Sequence, residues 1–203
     1  MILTTDDISQ LETRYRANLF NSVAGTKTVS LIGTQSEAQV TNLAIFSSIT
    51  HLGSNPPLFG IVVRPPQEVE RHTLNNILTN HWYTINVVNT SILEKAHQTS
   101  AKYDAAISEF EAVGLTPYYV QDIPAPAVQE CTISLFLKYL QHISLPNETI
   151  FVIGEVKHVN INEEFISKEG VVNHSLANSV SVGGLDTYYE SILKIKLPYA
   201  RPS

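Results

Sequence analysis

Thr26-Lys27-Thr28-Val29-Ser30-Leu31-Ile32-Gly33-Thr34, the polar break Gln35-Ser36-Glu37-Ala38-Gln39, and the run from Val40 to Ile49 decide the fold. β-Branched and other apolar residues crowd both flanks of the break, the pattern of a β-hairpin. Gly53-Ser54-Asn55-Pro56-Pro57 then turns the chain into an apolar strand, Leu58-Phe59-Gly60-Ile61-Val62-Val63. Three successive strands predict an antiparallel meander.

Upstream, Thr5 or Asp6 is placed to cap a helix carrying Ile8, Leu11, Tyr15 and Leu19 at helical spacing, ended by Gly25. Its apolar stripe calls for a sheet or a second subunit to pack on. Downstream, Pro65-Pro66 stops the third strand, Thr73 is positioned to cap a helix with Leu74, Ile77 and Leu78, and 82–88 reads as a strand. Ser91-Ile92-Leu93-Glu94 matches a capping box, and a helix over 105–113 ends at Gly114. After a proline-punctuated stretch, 131–143 and 149–161 read as long strands joined by Ser144-Leu145-Pro146-Asn147-Glu148. The segment 162–181 shows little periodicity, and Ile192 to Leu197 is an apolar-alternating end. The pattern predicts a mainly β fold with helical insertions, a closed antiparallel barrel rather than a doubly wound parallel sheet.

A chain of 203 residues fits one domain over 1–203, with an N-terminal helix within 1–22 and a C-terminal tail over 182–203. Thirteen Lys and Arg against nineteen Asp and Glu leave a net charge of −6, which argues against a broad grip on nucleic acid. The N-terminus shows no signal-peptide pattern and no apolar run reaches membrane-span length, so the expected location is the cytoplasm. Cys131 is the single cysteine; it can form no internal disulfide, and its apolar surroundings predict an inert buried thiol. The sequons at Asn89, Asn147 and Asn173 read as chance matches.

Standard catalytic signatures are absent: no H-E-x-x-H, C-x-x-C, G-x-S-x-G or Walker loop occurs. The seven histidines are scattered, so no metal site is expected. Glu70-Arg71-His72-Thr73-Leu74-Asn75-Asn76 places cationic side chains and a hydroxyl at the first turn of a helix. That is a phosphate-binding pattern, with Thr73 donating its hydroxyl, Asn75 and Asn76 their backbone N–H groups, and Arg71 a charge-assisted contact. The same segment also reads as a simple cap beside a solvated arginine. Thr41-Asn42-Leu43-Ala44-Ile45-Phe46-Ser47-Ser48 sets small neutral hydrogen-bonding groups on a strand, which suits a planar heterocycle. Alternatively, those polar groups face water.

Together with Asn55-Pro56-Pro57-Leu58-Phe59-Gly60, Ile153-Gly154-Glu155-Val156 and the tail Gly183-Gly184-Leu185-Asp186-Thr187-Tyr188, these two segments resemble the flavin reductase-like family of FMN-binding split barrels. The resemblance runs from about Asn21 to Tyr189. It implies an antiparallel Greek-key split barrel, a homodimer, and FMN near the subunit interface. Arg71, His72, Thr73 and Asn76 would then serve the phosphate, with Arg64 at the phosphate or ribityl chain. Asn42, Ser47 and Ser48 would face the flavin ring, Thr41 and His51 would neighbour it, and Gly184 and Tyr188 would close over the site. The implied activity is that of an FMN-dependent oxidoreductase with NAD(P)H as a co-substrate. Pyridine-nucleotide-using members carry a Gly-Asp-His-like turn where this chain has Leu145-Pro146-Asn147-Glu148-Thr149. That departure keeps open an FMN-binding electron-transfer protein without its own NAD(P)H site. A pyridoxamine-phosphate-oxidase-like enzyme is the third reading; it needs a second basic site, which the sequence does not display.

Overall fold

Leu31 and Ile32 are both fully buried yet belong to different apolar clusters, because successive residues of a strand point to opposite faces and both faces here are covered. The computed structural model describes residues 1–65 and 71–202; the readings on Pro66 and Glu70 lie outside the described residues. In chain order the elements are α1 (Thr5–Gln10), α2 (Thr13–Ser22), β1 (Lys27–Thr28), β2 (Ser30–Gln35), β3 (Thr41–Phe46), β4 (Thr50–Ser54) and β5 (Pro57–Val63). There follow α3 (His72–Asn80), β6 (Trp82–Val87), α4 (Leu93–Gln98), α5 (Glu109–Val113), β7 (Pro117–Tyr118) and β8 (Ala127–Val128). The long hairpin β9 (Ile133–Ser144) and β10 (Ile150–Ile161) precedes β11 (Val180–Gly183) and β12 (Thr187–Glu190).

Seven strands form one antiparallel sheet in the order β3-β2-β6-β9-β10-β5-β4, and β1-β11-β12 form a second, smaller one. Ile32 of β2 and Ile61 of β5 lie four strands apart in the large sheet but share a core with Leu74 and Ile77 of α3. The sheet therefore curls around that core as a barrel does. Leu31 and Leu43 face the other way, into a cluster covered by Ala96 of α4 and Phe110 of α5.

The barrel is split rather than closed. No backbone ladder joins the edge strands β3 and β4. Just beyond β3, the Ser48 hydroxyl donates to the Val62 carbonyl and accepts from the Val62 N–H, both at 3.0 Å. One side chain thus satisfies β5 where a strand partner is missing.

The structure confirms the mainly β class with helical insertions and revises several local readings. The N-terminal segment is two helices, because Glu12 caps a new start through Arg14 N–H and Tyr15 N–H; the first is capped by Thr4 in a capping box with Asp7. Neither helix has a buried residue. The expected strand over 26–34 splits between the two sheets. The three-strand meander is instead two hairpins, since β3 pairs with β2 while β4 and β5 pair at the far edge. The 91–94 capping box gives way to Asn89, which accepts from Ser91 N–H and starts a short 3₁₀ turn before α4. The helix over 105–113 contracts to α5, capped by Ser108 and ended by Gly114 at φ +67°. The apolar end from Ile192 to Leu197 forms no regular element. Cys131 is buried, and burial pushes its thiol above the ordinary range.

Gly154 packs against the ring and hydroxyl of the buried Tyr83, leaving no room for a Cβ. Gly154→Ala is expected to lower stability by about 1–3 kcal/mol through overpacking, read as a lower urea midpoint at unchanged slope. The Tyr83 hydroxyl is buried without a hydrogen-bond partner among the described residues. Tyr83→Phe should therefore be neutral or stabilising; a clear loss of stability would show that the hydroxyl is partnered.

Candidate functional site

Between the open face of the barrel and the small sheet lies a cavity of about 710 Å³. One wall comes from β3 and the segment after it, the end of β5, and the start of α3. A second wall comes from β1, the β11–β12 hairpin and the chain following α4. His97 Nδ1 and the Tyr188 hydroxyl hydrogen-bond at 2.7 Å, tying α4 to β12 across this second wall.

Three side chains fix α3 to the sheet. Asn42 Nδ2 donates to Thr73 Oγ1 at 3.1 Å, Asn76 Nδ2 donates to Thr34 Oγ1 at 3.1 Å, and Asn80 Nδ2 donates to the Gln35 carbonyl. Thr73, Asn76 and Asn80 recur at helical spacing, so all three lie on the face of α3 that meets β2 and β3. Thr73 Oγ1 accepts from Asn42, and among the described residues its own proton has no acceptor and can be donated to a ligand.

The cap of α3 is Arg71, not Thr73, and Arg71 supplies no side-chain cap bond. Its Nε instead donates to the Pro65 carbonyl at 3.3 Å. The Asn75 N–H is taken by the Arg71 carbonyl at 3.0 Å, so it is not the anion donor the sequence indicated. The first-turn N–H groups of His72, Thr73 and Leu74 have no acceptor within the helix, and the helix dipole adds positive potential there.

Of the residues singled out in the sequence, Asn42, Ser47, Ser48 and Arg64 line the cavity, as do Arg71, His72, Thr73 and Tyr188. Ser48 does so with its hydroxyl committed to Val62. Thr41 and Asn76 line a smaller adjoining pocket of about 150 Å³ that shares Asn42 and His72 with the main cavity. Asn76 points its amide at β2 and acts as a clamp. His51 is not brought to the cavity: it is exposed on β4, with its ring edge-on to Phe59 at 5.3 Å. Gly184 adopts φ +73° in the β11–β12 turn and does not line the cavity, whereas Leu185 and Asp186 beside it do.

Sequence reasoning missed Glu109, His97, Lys27 and Lys102, all cavity-lining. Glu109 is only 6% exposed and accepts the Leu43 N–H at 3.0 Å. A single acid between Ile107 and Phe110 carries no local signature, because the group it serves is 66 residues away. Burial raises its carboxyl above the ordinary 4.5, opposed by hydrogen bonds from the Leu43 and Glu109 N–H groups and by the nearby His72. Among the described residues no three His, Cys, Asp or Glu side chains are grouped to hold a metal. No helix among them is long and apolar enough to cross a membrane.

A family model described as "Flavin reductase like domain" matches residues 24–175. A Shewanella frigidimarina protein described as a flavin reductase with a split barrel domain shares 46% identity, covering 98% of this chain and 100% of that one, with a TM-score of 0.93. Nitrilotriacetate monooxygenase component B from Bacillus cereus superposes at a TM-score of 0.87 with 19% identity, over 97% of this chain and 98% of that one. A 2-nitrobenzoate 2-nitroreductase from Pseudomonas fluorescens superposes at 0.84 with 24% identity, over 100% and 99% of the two chains. At their identities these last two show a shared fold.

Glu109 gives the protein a pH signature. Its proton is held more tightly in the folded chain, so its stabilising contribution is complete below 4.5 and is lost as pH rises through the raised folded value. Relative to the native chain, Glu109→Gln is expected to gain stability progressively as pH rises from 4.5 and then level off. Urea titrations across pH read this directly, and a pH-independent difference would refute it.

Proposed function

The chain belongs to the flavin reductase like domain family, and on that premise we propose that it is an FMN-binding oxidoreductase passing electrons or hydride through the bound flavin. The observation that carries the reading is the cavity that opens on the start of α3. Arg71, His72 and Thr73 line it there, while Ala44, Ile45, Phe46 and Val62 give it apolar walls. The two ends match a molecule with a phosphate at one end and a flat ring system at the other.

In this reading Arg71 supplies charge to the phosphate, and Thr73 donates the proton that Asn42 leaves free. The first-turn N–H groups of α3 add to the same grip. Arg64 extends the cationic rim, Ser47 offers a polar contact to the ring, and Tyr188, held by His97, covers the cavity. Bound FMN would supply the hydride or electron chemistry, so the chain needs no acid, base or nucleophile of its own. The working unit is read as a cytoplasmic homodimer.

A second reading, an FMN-binding electron-transfer protein with no NAD(P)H site of its own, is favoured by one observation. The turn where nucleotide-using members carry histidine holds Asn147 and Glu148 here, and neither lines the cavity. The donor is then a protein or a reduced flavin.

A visible spectrum of the purified protein, followed by anaerobic NADH and then NADPH, separates these readings. Bleaching within seconds is expected of the reductase; a flavin spectrum that only dithionite bleaches selects the electron-transfer protein; a colourless protein that takes up no FMN overturns both. Arg71→Ala should weaken FMN binding by about 1.5–3 kcal/mol, roughly tenfold to a hundredfold, without lowering stability. Unchanged affinity would remove Arg71 from the phosphate site.

A further inference from the structure

Among the described residues, the lining of the cavity reverses the charge balance of the chain. Four Lys and Arg among the described residues line it, against two Asp and Glu, in a chain of net charge −6. The four cations come from two separate groups of elements. Arg64 follows β5 and Arg71 caps α3, whereas Lys27 lies on β1 and Lys102 follows α4. FMN carries one phosphate, and the α3 wall answers it. Lys27 and Lys102 are left over, and neither side chain has a salt bridge or hydrogen bond among the described residues.

Strand register gives the second wall a defined shape. Lys27 of β1 is directly opposite Val182 of β11, which is directly opposite Tyr188 of β12. Cross-strand partners place their side chains on one face, about 5 Å apart per strand, and all three residues line the cavity. Val182 itself is only 2% exposed and packs into the outer core, so the row offers the cavity an ammonium group at one end and, two strands away, an aromatic ring whose hydroxyl is anchored on His97. Lys102 lies five residues beyond His97 on the same wall. Asp186 is the one acid on this wall, and it is exposed and accepts from the Thr187 hydroxyl. Glu109 belongs to α5 and bonds β3.

We propose that Lys27 and Tyr188, with Lys102 beside them, form a second anion site that receives a small flat ligand bearing a carboxylate or phosphate, the molecule that exchanges electrons with the flavin. The proposal rests on the FMN reading above. The tyrosine ring takes the flat body of the ligand, and the lysines take its charge. A neutral ligand of the same shape would keep the apolar contact and lose the ionic one.

The test uses the FMN-loaded protein, with flavin content measured first from the visible spectrum. Isothermal titration then compares benzoate with neutral benzamide, and adds pyridoxine 5′-phosphate and NADP⁺ as phosphate-bearing probes. The double variant Lys27→Met, Lys102→Met keeps the apolar stems and removes both charges. At least one anionic probe is expected to bind and to lose tenfold or more in affinity in the double variant, while benzamide is unaffected. Loss for benzoate assigns a carboxylate ligand; loss for either phosphate probe assigns a phosphate. If no anion binds better than benzamide, or the double variant leaves every affinity unchanged, the site is refuted, even where the protein is yellow with FMN. Absence of flavin that cannot be restored instead refutes the FMN reading, a separate outcome.

Discussion

An edge strand cannot leave its backbone polar groups unsatisfied where apolar layers bury it. β3 is such an edge. Its Leu43 N–H finds no strand partner and is taken by Glu109, while Thr41 Oγ1 bonds the Ser108 hydroxyl at 2.6 Å. Those two contacts bring α5 onto the edge of the barrel and seat Phe110 in the outer core. At the seam, Ser48 performs the matching service for Val62 of β5. The split in the barrel is held by side chains in place of a ladder, and the cavity opens where the ladder is missing.

Attaching α3 to the sheet follows the same logic on the other side of β3. Leu74 and Ile77 give the helix its apolar anchorage in the inner core, but apolar contacts alone do not fix rotation. The hydrogen bonds from Asn42 to Thr73 and from Asn76 to Thr34 are buried, and a buried amide tolerates few alternative orientations. Directional bonds thus aim the helix start, with Arg71, His72 and Thr73, into the cavity. Part of the polar character that makes Asn42 and Asn76 resemble ligand contacts is consumed by this positioning.

Much of the site was legible because two of its segments are local. The run from Arg71 to Asn76 and the strand from Thr41 to Ser48 carry their polar residues within a few positions of one another, and both line the main cavity or the pocket that adjoins it. His51 stands apart from the cavity because nearness in sequence to Ser48 does not survive the chain crossing from β3 to the opposite edge of the sheet. Glu109 went unseen because its partner is distant in the chain. The second wall went unseen because Lys27, His97 and Tyr188 belong to three separate segments that only register and packing unite.

The amino-acid order by itself determined the alternating and continuous apolar runs, hence a mainly β chain with helical insertions, the long β9–β10 pair, and a helix start rich in anion-binding groups. Those follow from local sterics and periodicity. Tertiary structure alone decided which strands became edges, which polar groups serve the backbone, and which face the cavity. The physical reason is that burial and hydrogen-bond satisfaction are collective. Whether Asn76 clamps a helix or Lys27 meets a ligand depends on groups tens of residues away, and no local pattern encodes their approach.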